Sequence, residues 1–462
     1  MAPNASNIQP TDDADVLSLL PSDVLVSILE KLTLRDAIRA GALSRRWRQL
    51  SGQLPRLALD FVDFMPGPGK YHDEDDEEEL DTPASSSDDA LSAAGDRMLE
   101  VATAVLASRA AGQQQLPVCA MSFYLRHNYM SLGRLLDDAV AGGKVRAAEL
   151  TVSTTCVYEM DDDDDQRSKT LRSMLGYGRR FRVLFDSCPA AFGSLTRLTI
   201  EQMTLGESDL DDVLTACTRL EFLSLETCYT ERSGLWRVRH ERLADLRISH
   251  GAFEALDLLW LPRLERFAYR YSGFQNLSFG HVPHLTTLTI SSYHVAEGPT
   301  VKLSQILANT AVKDLRLNLG GKDIWVEPEA PKALTNVFRH LKYLKLRLWD
   351  HECNMQRDES KNCFPTVEKC VPLDAATDFQ HSSLTLITIQ GLYSTEDILV
   401  RYICRLMRAA INLEEIRMRK NAACEDCDSA KKGFPQTDKE IECLIKRVTD
   451  GGSIPLKNIV ES

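Results

Sequence analysis

The stretch Leu195-Thr196-Arg197-Leu198-Thr199-Ile200 returns at residue 220 as Leu220-Glu221-Phe222-Leu223-Ser224-Leu225, and this return decides how the chain is read. The shared form is L-x-x-L-x-L. It recurs as LADLRI from Leu243, LERFAY from Leu264, LTTLTI from Leu285 and VKDLRL from Val312. LKYLKL from Leu341, LTLITI from Leu384 and LEEIRM from Leu413 continue it. First positions are separated by 25, 23, 21, 21, 27, 29, 43 and 29 residues. A loose apolar pattern arises by chance in 462 residues, so the spacing weighs more than the block. Four consecutive separations fall within the ~20–29-residue period of a repeat built from one strand and its connection.

What lies between the blocks fits such a unit. Ser208-Asp209-Leu210-Asp211 opens a stretch with Leu210, Val213, Leu214 and Cys217 at helical spacing, and Leu334, Val337, Phe338 and Leu341 repeat it. The second block runs on to Cys228 as L-x-x-L-x-L-x-x-C, the leucine-rich-repeat pattern. Each unit reads as a short strand followed by a variable loop or helix; one unit cannot bury its apolar face, but a stack can. Degenerate earlier strands are expected near Leu57 and Leu59, Met121 and Phe123, and Leu150 and Val152, with helices over 96–110 and 131–141 between them. The expectation is an irregular solenoid, a horseshoe, over 56–380; an unrelated α/β fold is the alternative.

The net charge of −13 is local. Eight acidic residues lie between Asp73 and Asp81 and six between Glu159 and Asp165, so the remainder of the chain sums to −13 + 14 = +1. Like charges at this density resist packing, which predicts solvated acidic insertions at 71–89 and 159–165. A global basic field for nucleic acid is absent. No run approaches ~18 consecutive apolar residues, so no membrane span is expected. The opening MAPNASNIQPTDDAD has neither a basic nor an apolar segment, so a secretory leader is not expected. The twelve cysteines are scattered and read as buried free thiols.

Upstream of the repeats, Asp15 to Gln53 is helical in pattern. Pro21 suits a first helical position, and Val24, Leu25, Ile28, Leu29 and Leu32 form an apolar stripe after it. Thr33-Leu34-Arg35-Asp36 reads as the cap of a second helix. A third segment sets Leu43, Trp47 and Leu50 opposite Arg45, Arg46 and Arg48. About forty residues cannot bury that much apolar surface alone, so the stripe packs onto the rest of the chain or docks on another protein.

LLPSDVLVSILEKLTLRDAIRAGALSRRWRQL resembles an F-box, in the form found in plant F-box proteins with leucine-rich repeats. Ser51 departs from it where many members carry a second Trp. In that family the three-helix module, here 15–53, binds a Skp-type adaptor that bridges to a cullin and a RING subunit. The resemblance assigns adaptor docking to Leu20, Pro21, Val24, Leu25, Ile28, Leu29, Leu32, Leu43 and Trp47. The alternative is an ordinary buried helical hairpin with Trp47 in its core.

From His381 the pattern becomes strand, helix, strand. Ser394-Thr395-Glu396-Asp397 caps a helix through Leu399, Tyr402, Ile403, Leu406 and Met407, and Thr437-Asp438-Lys439-Glu440 caps a last one. LTLITIQG with LVRYICRLMRAAINLEEIRM resembles the FBD region of the same plant proteins, so 381–462 is expected to form an α/β cap on the solenoid.

No phosphate-binding loop, H-E-x-x-H, G-x-G-x-x-G or G-x-S-x-G is present. Cys424-Glu425-Asp426-Cys427 lacks a second pair, and His351, Cys353, Cys363 and Cys370 lie in an irregular stretch; neither set points to metal. No cofactor and no catalysis are therefore expected. The expected function is the substrate-recognition subunit of an SCF-type ubiquitin ligase, with an unknown protein target on the repeats. A small-molecule co-receptor and an adaptor-binding scaffold without a degradation role are the alternatives. For the co-receptor, no clustered basic residues are evident in the sequence to hold an anionic ligand. Nucleus and cytoplasm both fit.

Overall fold

All nine L-x-x-L-x-L blocks become rungs of one parallel ladder, because the same two block positions pair strand after strand. Leu198 stands opposite Leu223, Leu223 opposite Leu246, Leu246 opposite Phe267 and Phe267 opposite Leu288. The column continues through Leu315, Leu344, Ile387 and Ile416. Two residues on, Ile200, Leu225, Ile248, Tyr269, Ile290 and Leu317 form a second buried column. At about 1.5–3 kcal/mol for each fully buried side chain, these columns outweigh what any single unit has to offer, which is why the units stack.

The computed structural model describes residues 20–32, 34–40, 44–51, 54–65, 88–108, 115–155, 164–231, 234–251, 253, 255–270, 276–291, 302–308, 310–318, 329, 338–347, 381–390, 410–419, 446 and 458–461. The chain divides into two compact units, Met1–Thr151 with Ser187–Ser194, and Val152–Asp186 with Leu195–Ser462.

The first unit opens with helices α1 (Ser22–Leu29), α2 (Leu34–Ala40) and α3 (Arg45–Ser51). Strand β1 (Arg56–Asp60), helix α4 (Asp88–Ser108), strand β2 (Leu116–Tyr124), helix α5 (Tyr129–Ala141) and strand β3 (Val145–Ser153) follow. The strands lie in the order β1-β2-β3, and Leu57 and Leu59 pair in parallel with Cys119 and Met121. The degenerate strands and both intervening helices are thus present. Helix α4 begins at Asp88, inside the stretch read as an acidic insertion; 66–87 lie outside the described residues.

The second unit begins with helix α6 (Asp164–Ser187), which takes in the end of the second acidic run; the short helix α7 (Pro189–Gly193) belongs to the first unit. Strands β4 (Leu195–Glu201) and β5 (Thr204–Leu205), helix α8 (Asp209–Ala216), and strands β6 (Phe222–Glu226) and β7 (Tyr229–Thr230) come next. Then follow β8 (Leu235–Arg239), β9 (Asp245–Ser249), β10 (Ala255–Trp260), β11 (Arg266–Arg270), β12 (Asn276–His281) and β13 (Thr287–Ser291). Helix α9 (Leu303–Leu307) and strands β14 (Asp314–Asn318), β15 (Tyr343–Arg347), β16 (Leu386–Gln390), β17 (Glu415–Arg419) and β18 (Asn458–Glu461) complete the described elements. The ladder order is β4-β6-β9-β11-β13-β14-β15-β16-β17-β18.

Two features depart from a strand-plus-helix unit. Where the period shrinks to 23 and then 21 residues, the return segment is a second strand, and β8, β10 and β12 form their own parallel sheet. So few residues leave no room for two turns of helix and two connections. The second feature is the end of each early rung, where Gln202, Thr227 and His250 take φ of 55°, 51° and 55°. Each donates its backbone N–H to the next rung, at Glu226, Ser249 and Arg270. A left-handed residue at a fixed place turns the chain out of the ladder while keeping that donor paired. Cys228 completes the pattern as read: it is buried, and its Sγ donates to the Ile200 carbonyl at 3.2 Å.

The predicted helices after Ser394 and Thr437 lie outside the described residues, Lys446 apart.

Candidate docking face

Helix α1 carries two apolar stripes. At 100° per residue, Pro21, Val24, Ile28 and Leu32 fall in one sector and Leu25 and Leu29 in the next. The second stripe is internal. Leu25 and Leu29 are fully buried and share a core with Ala37 of α2, Trp47 and Leu50 of α3, and Leu54. The first stripe faces outward: Val24 and Leu32 are 40% and 41% exposed and Pro21 is exposed. Leu20 and Ile28 lie between the two, half-buried against the core.

Local bonds hold this arrangement. Pro21 precedes the helix rather than opening it, and its carbonyl accepts from the Leu25 N–H at 3.1 Å. The Ser44 hydroxyl accepts from the Trp47 N–H at 3.2 Å and caps α3. Arg46 reaches back across α1, donating to the Leu20 carbonyl at 2.6 Å and to the Ser22 hydroxyl at 3.2 Å. Arg46, on the side of the third segment away from Trp47, thus ties the first and third helices together.

The nine residues assigned to docking therefore divide. Leu25, Leu29 and Trp47 are buried in the core of the helical unit. Pro21, Val24 and Leu32, flanked by Leu20 and Ile28, present surface. Leu43 lies outside the described residues.

Elsewhere the reactive groups are shielded. Burial pushes the Cys188 thiol up to about 11 and the Cys217 and Cys228 thiols up to about 12, which keeps them protonated and poorly nucleophilic. Burial also lowers His240, whose Nδ1 accepts from the N–H groups of Arg242 and Leu243 at 3.1 and 3.0 Å. Its Nε2 lies 3.0 Å from the Cys217 carbonyl, so the ring is a neutral connector between repeats. Among the described residues, no three His, Cys, Asp or Glu side chains come together to hold a metal, and no helix is long and apolar enough to cross a membrane. The Cys424–Cys427 pair and His351, Cys353, Cys363 and Cys370 lie outside the described residues.

Two family models match the chain: an F-box domain over residues 17–58, and the leucine-rich repeats of the FBD-associated F-box protein At5g56370 over residues 166–298. Among curated proteins of Arabidopsis thaliana, F-box/LRR-repeat protein 13 is 41% identical over 55 residues, 12% of either chain. The FBD-associated F-box protein At5g18780 is 46% identical over 50 residues, 11% of either chain. The putative F-box/FBD/LRR-repeat protein At4g00315 is 39% identical over 56 residues, 12% of this chain and 13% of that one. Each match thus spans only about an eighth of its relative. The chain carries an F-box and leucine-rich repeats of the FBD-associated kind, and no catalytic family is indicated.

Proposed function

We propose that this F-box/leucine-rich-repeat chain is the target-recognition subunit of an SCF-type ubiquitin ligase. The observation that carries the reading is the outward stripe along α1 and its two ends: an apolar strip left exposed beside a stripe, Leu25 and Leu29, that already has its own core. F-box domains typically bind Skp-type adaptors, and Pro21, Val24, Ile28 and Leu32 are the residues we assign to that contact. The adaptor would link the chain to a cullin, while the repeat array holds a protein target. Such a subunit acts by raising the local concentration of target lysines near a ubiquitin-charged enzyme, which requires no catalytic group of its own. Residues 381–462 are assigned as an FBD-like cap on the array, and the buried thiols suit a reducing nucleus or cytoplasm.

The test is capture of a Skp-type adaptor by a Val24→Glu, Leu32→Glu variant. Both positions are exposed, so the variant should unfold at the same temperature as the parent yet lose adaptor at least tenfold. A variant that retains the adaptor at parental affinity would remove this face from the mechanism.

A further inference from the structure

Arg46 and Trp47 are neighbours in the sequence, and they hold helix α1 in different ways. Trp47 does so from within, sharing the core with Leu25 and Leu29. Arg46 does so at the rim, where its Nη2 donates to the Leu20 carbonyl at 2.6 Å and to the Ser22 hydroxyl at 3.2 Å.

The end of the stripe that Arg46 reaches is the end that α1 holds least. The helix opens at Ser22, and Pro21 before it makes no side-chain capping bond. Helical hydrogen bonding begins at the Pro21 carbonyl, which accepts from the Leu25 N–H, so the Leu20 carbonyl lies one residue outside it. Proline has no N–H, so that carbonyl is the single backbone polar group of the Leu20–Pro21 peptide. The guanidinium takes it in a short, charge-assisted bond, roughly twice as strong as a neutral one. The Leu20 side chain packs only partly against the core, and Pro21 is exposed.

We propose that Arg46 is a positioning residue for adaptor docking: by holding the Leu20 carbonyl and the Ser22 hydroxyl, it keeps the Leu20–Pro21 end of the stripe aligned with Val24, Ile28 and Leu32. The proposal rests on the adaptor-docking reading of that stripe and adds a residue that governs the contact through its neighbours. Without Arg46 the adaptor has to order that end as it binds, and affinity falls with the fraction of molecules already in the docking arrangement. Ser22 supplies a change of opposite sign. A carboxylate in place of its hydroxyl turns the second contact into an ion pair, so Ser22→Asp tightens docking only while Arg46 is present.

The test measures the affinity of the full chain for a purified Skp-type adaptor by biolayer interferometry, with the unfolding temperature of each variant read alongside. Expected is a loss of about tenfold in Arg46→Ala. Arg46→Lys should lose no more than about threefold, because an ammonium still donates to the Leu20 carbonyl. Leu50→Val removes a buried methylene from the same helix; it should lower the unfolding temperature at least as much, yet keep the adaptor within about twofold of the parent. Ser22→Asp should bind about twofold to threefold tighter, as befits an exposed pair, and this gain should vanish in the Arg46→Ala background. Should Arg46→Ala unfold early, Arg46→Gln replaces it, with a loss of about threefold and the same vanishing gain. Parental affinity in Arg46→Ala would overturn the proposal. So would affinities that follow unfolding temperature through Arg46→Ala and Leu50→Val alike, since Arg46 would then serve stability only. An equal Ser22→Asp gain with and without Arg46 would assign that effect to the helix dipole and overturn it as well. The Val24→Glu, Leu32→Glu variant keeps the two readings apart. Adaptor retained there counts against the docking face itself; adaptor lost there but held by Arg46→Ala counts against Arg46 alone.

Discussion

Helix α6 contains two glycines that the same substitution should push in opposite directions. At Gly176 an added methyl group would meet no heavy atom within 4 Å; at Gly178 it would lie 1.7 Å from the Thr204 carbonyl oxygen and 2.8 Å from its carbon. Alanine in a helix interior is favoured over glycine by about 1 kcal/mol, so Gly176→Ala should stabilise the protein by about that much. Gly178→Ala gains the same propensity, but an ordinary carbon–oxygen contact is about 3.3 Å, so helix or strand must retreat by roughly 1.5 Å. Retreat is resisted on the strand side. Thr204 and Leu205 pair with Tyr229 and Thr230, and the neighbouring Gln202 carbonyl accepts from the Thr154 hydroxyl at 3.0 Å. Forced overpacking of this kind costs typically 1–3 kcal/mol or more, and since the obstacle is backbone no rotamer change relieves it. The propensity gain is common to both, so the two variants should differ by the overpacking cost, about 1–3 kcal/mol or more. Urea unfolding followed by circular dichroism should move the midpoint up for Gly176→Ala and down for Gly178→Ala. Equal upward shifts would refute the close approach of α6 to β5.

Buried imidazoles should make stability pH-dependent. His240 and His381 each accept two backbone N–H bonds through Nδ1, and burial lowers the affinity of both rings for a proton. The unfolded chain therefore takes up protons first, near pH 6.5. Stability should be level above that value and fall as pH drops below it, at no more than about 1.4 kcal/mol per pH unit for each ring. Unfolding midpoints between pH 7.5 and 5.5 should show this slope reduced in His240→Gln, His381→Gln; an unchanged slope would remove these rings from the account. The buried thiols give a further expectation. Cys217 and Cys228 should resist iodoacetamide at pH 8 in the native chain and react once it is unfolded, as read by peptide mass spectrometry. Rapid native labelling of either would contradict their burial.

The ladder was legible because its information is local and repeated: three apolar positions at fixed places are enough to align Leu198 with Leu223 and on through Ile416. The F-box helices were legible for the same reason, through the spacing of Leu25, Leu29 and Trp47. What escaped was information that exists only across repeats. The β8, β10 and β12 strands are five or six residues each, and LWRVR, ALDLLW and NLSFGH reveal themselves only when superposed at 20- and 21-residue offsets. Helix α6 escaped because its first residues, Asp164 and Asp165, close the acidic run expected to be a solvated insertion, although Met174, Phe181 and Leu184 keep one buried side. Strand β18 carries no L-x-x-L-x-L block at all. The left-handed residues at Gln202, Thr227 and His250 include no glycine to announce them.

The hydrogen bonds that join the rungs also bear on how such a chain can change. From Glu221 to Glu414, the N–H of each block's second residue donates to the carbonyl of the corresponding residue in the block before. This holds whether 21 residues separate the blocks, as between Leu243 and Leu264, or 43, as between Leu341 and Leu384. Register is therefore indifferent to the length of the connection. A lengthened connection leaves every rung in place, and loop closure adds only about 0.6 kcal/mol for each doubling. Inheritance can thus rewrite the segments between rungs, by insertion as readily as by substitution, while the ladder beneath them keeps its geometry.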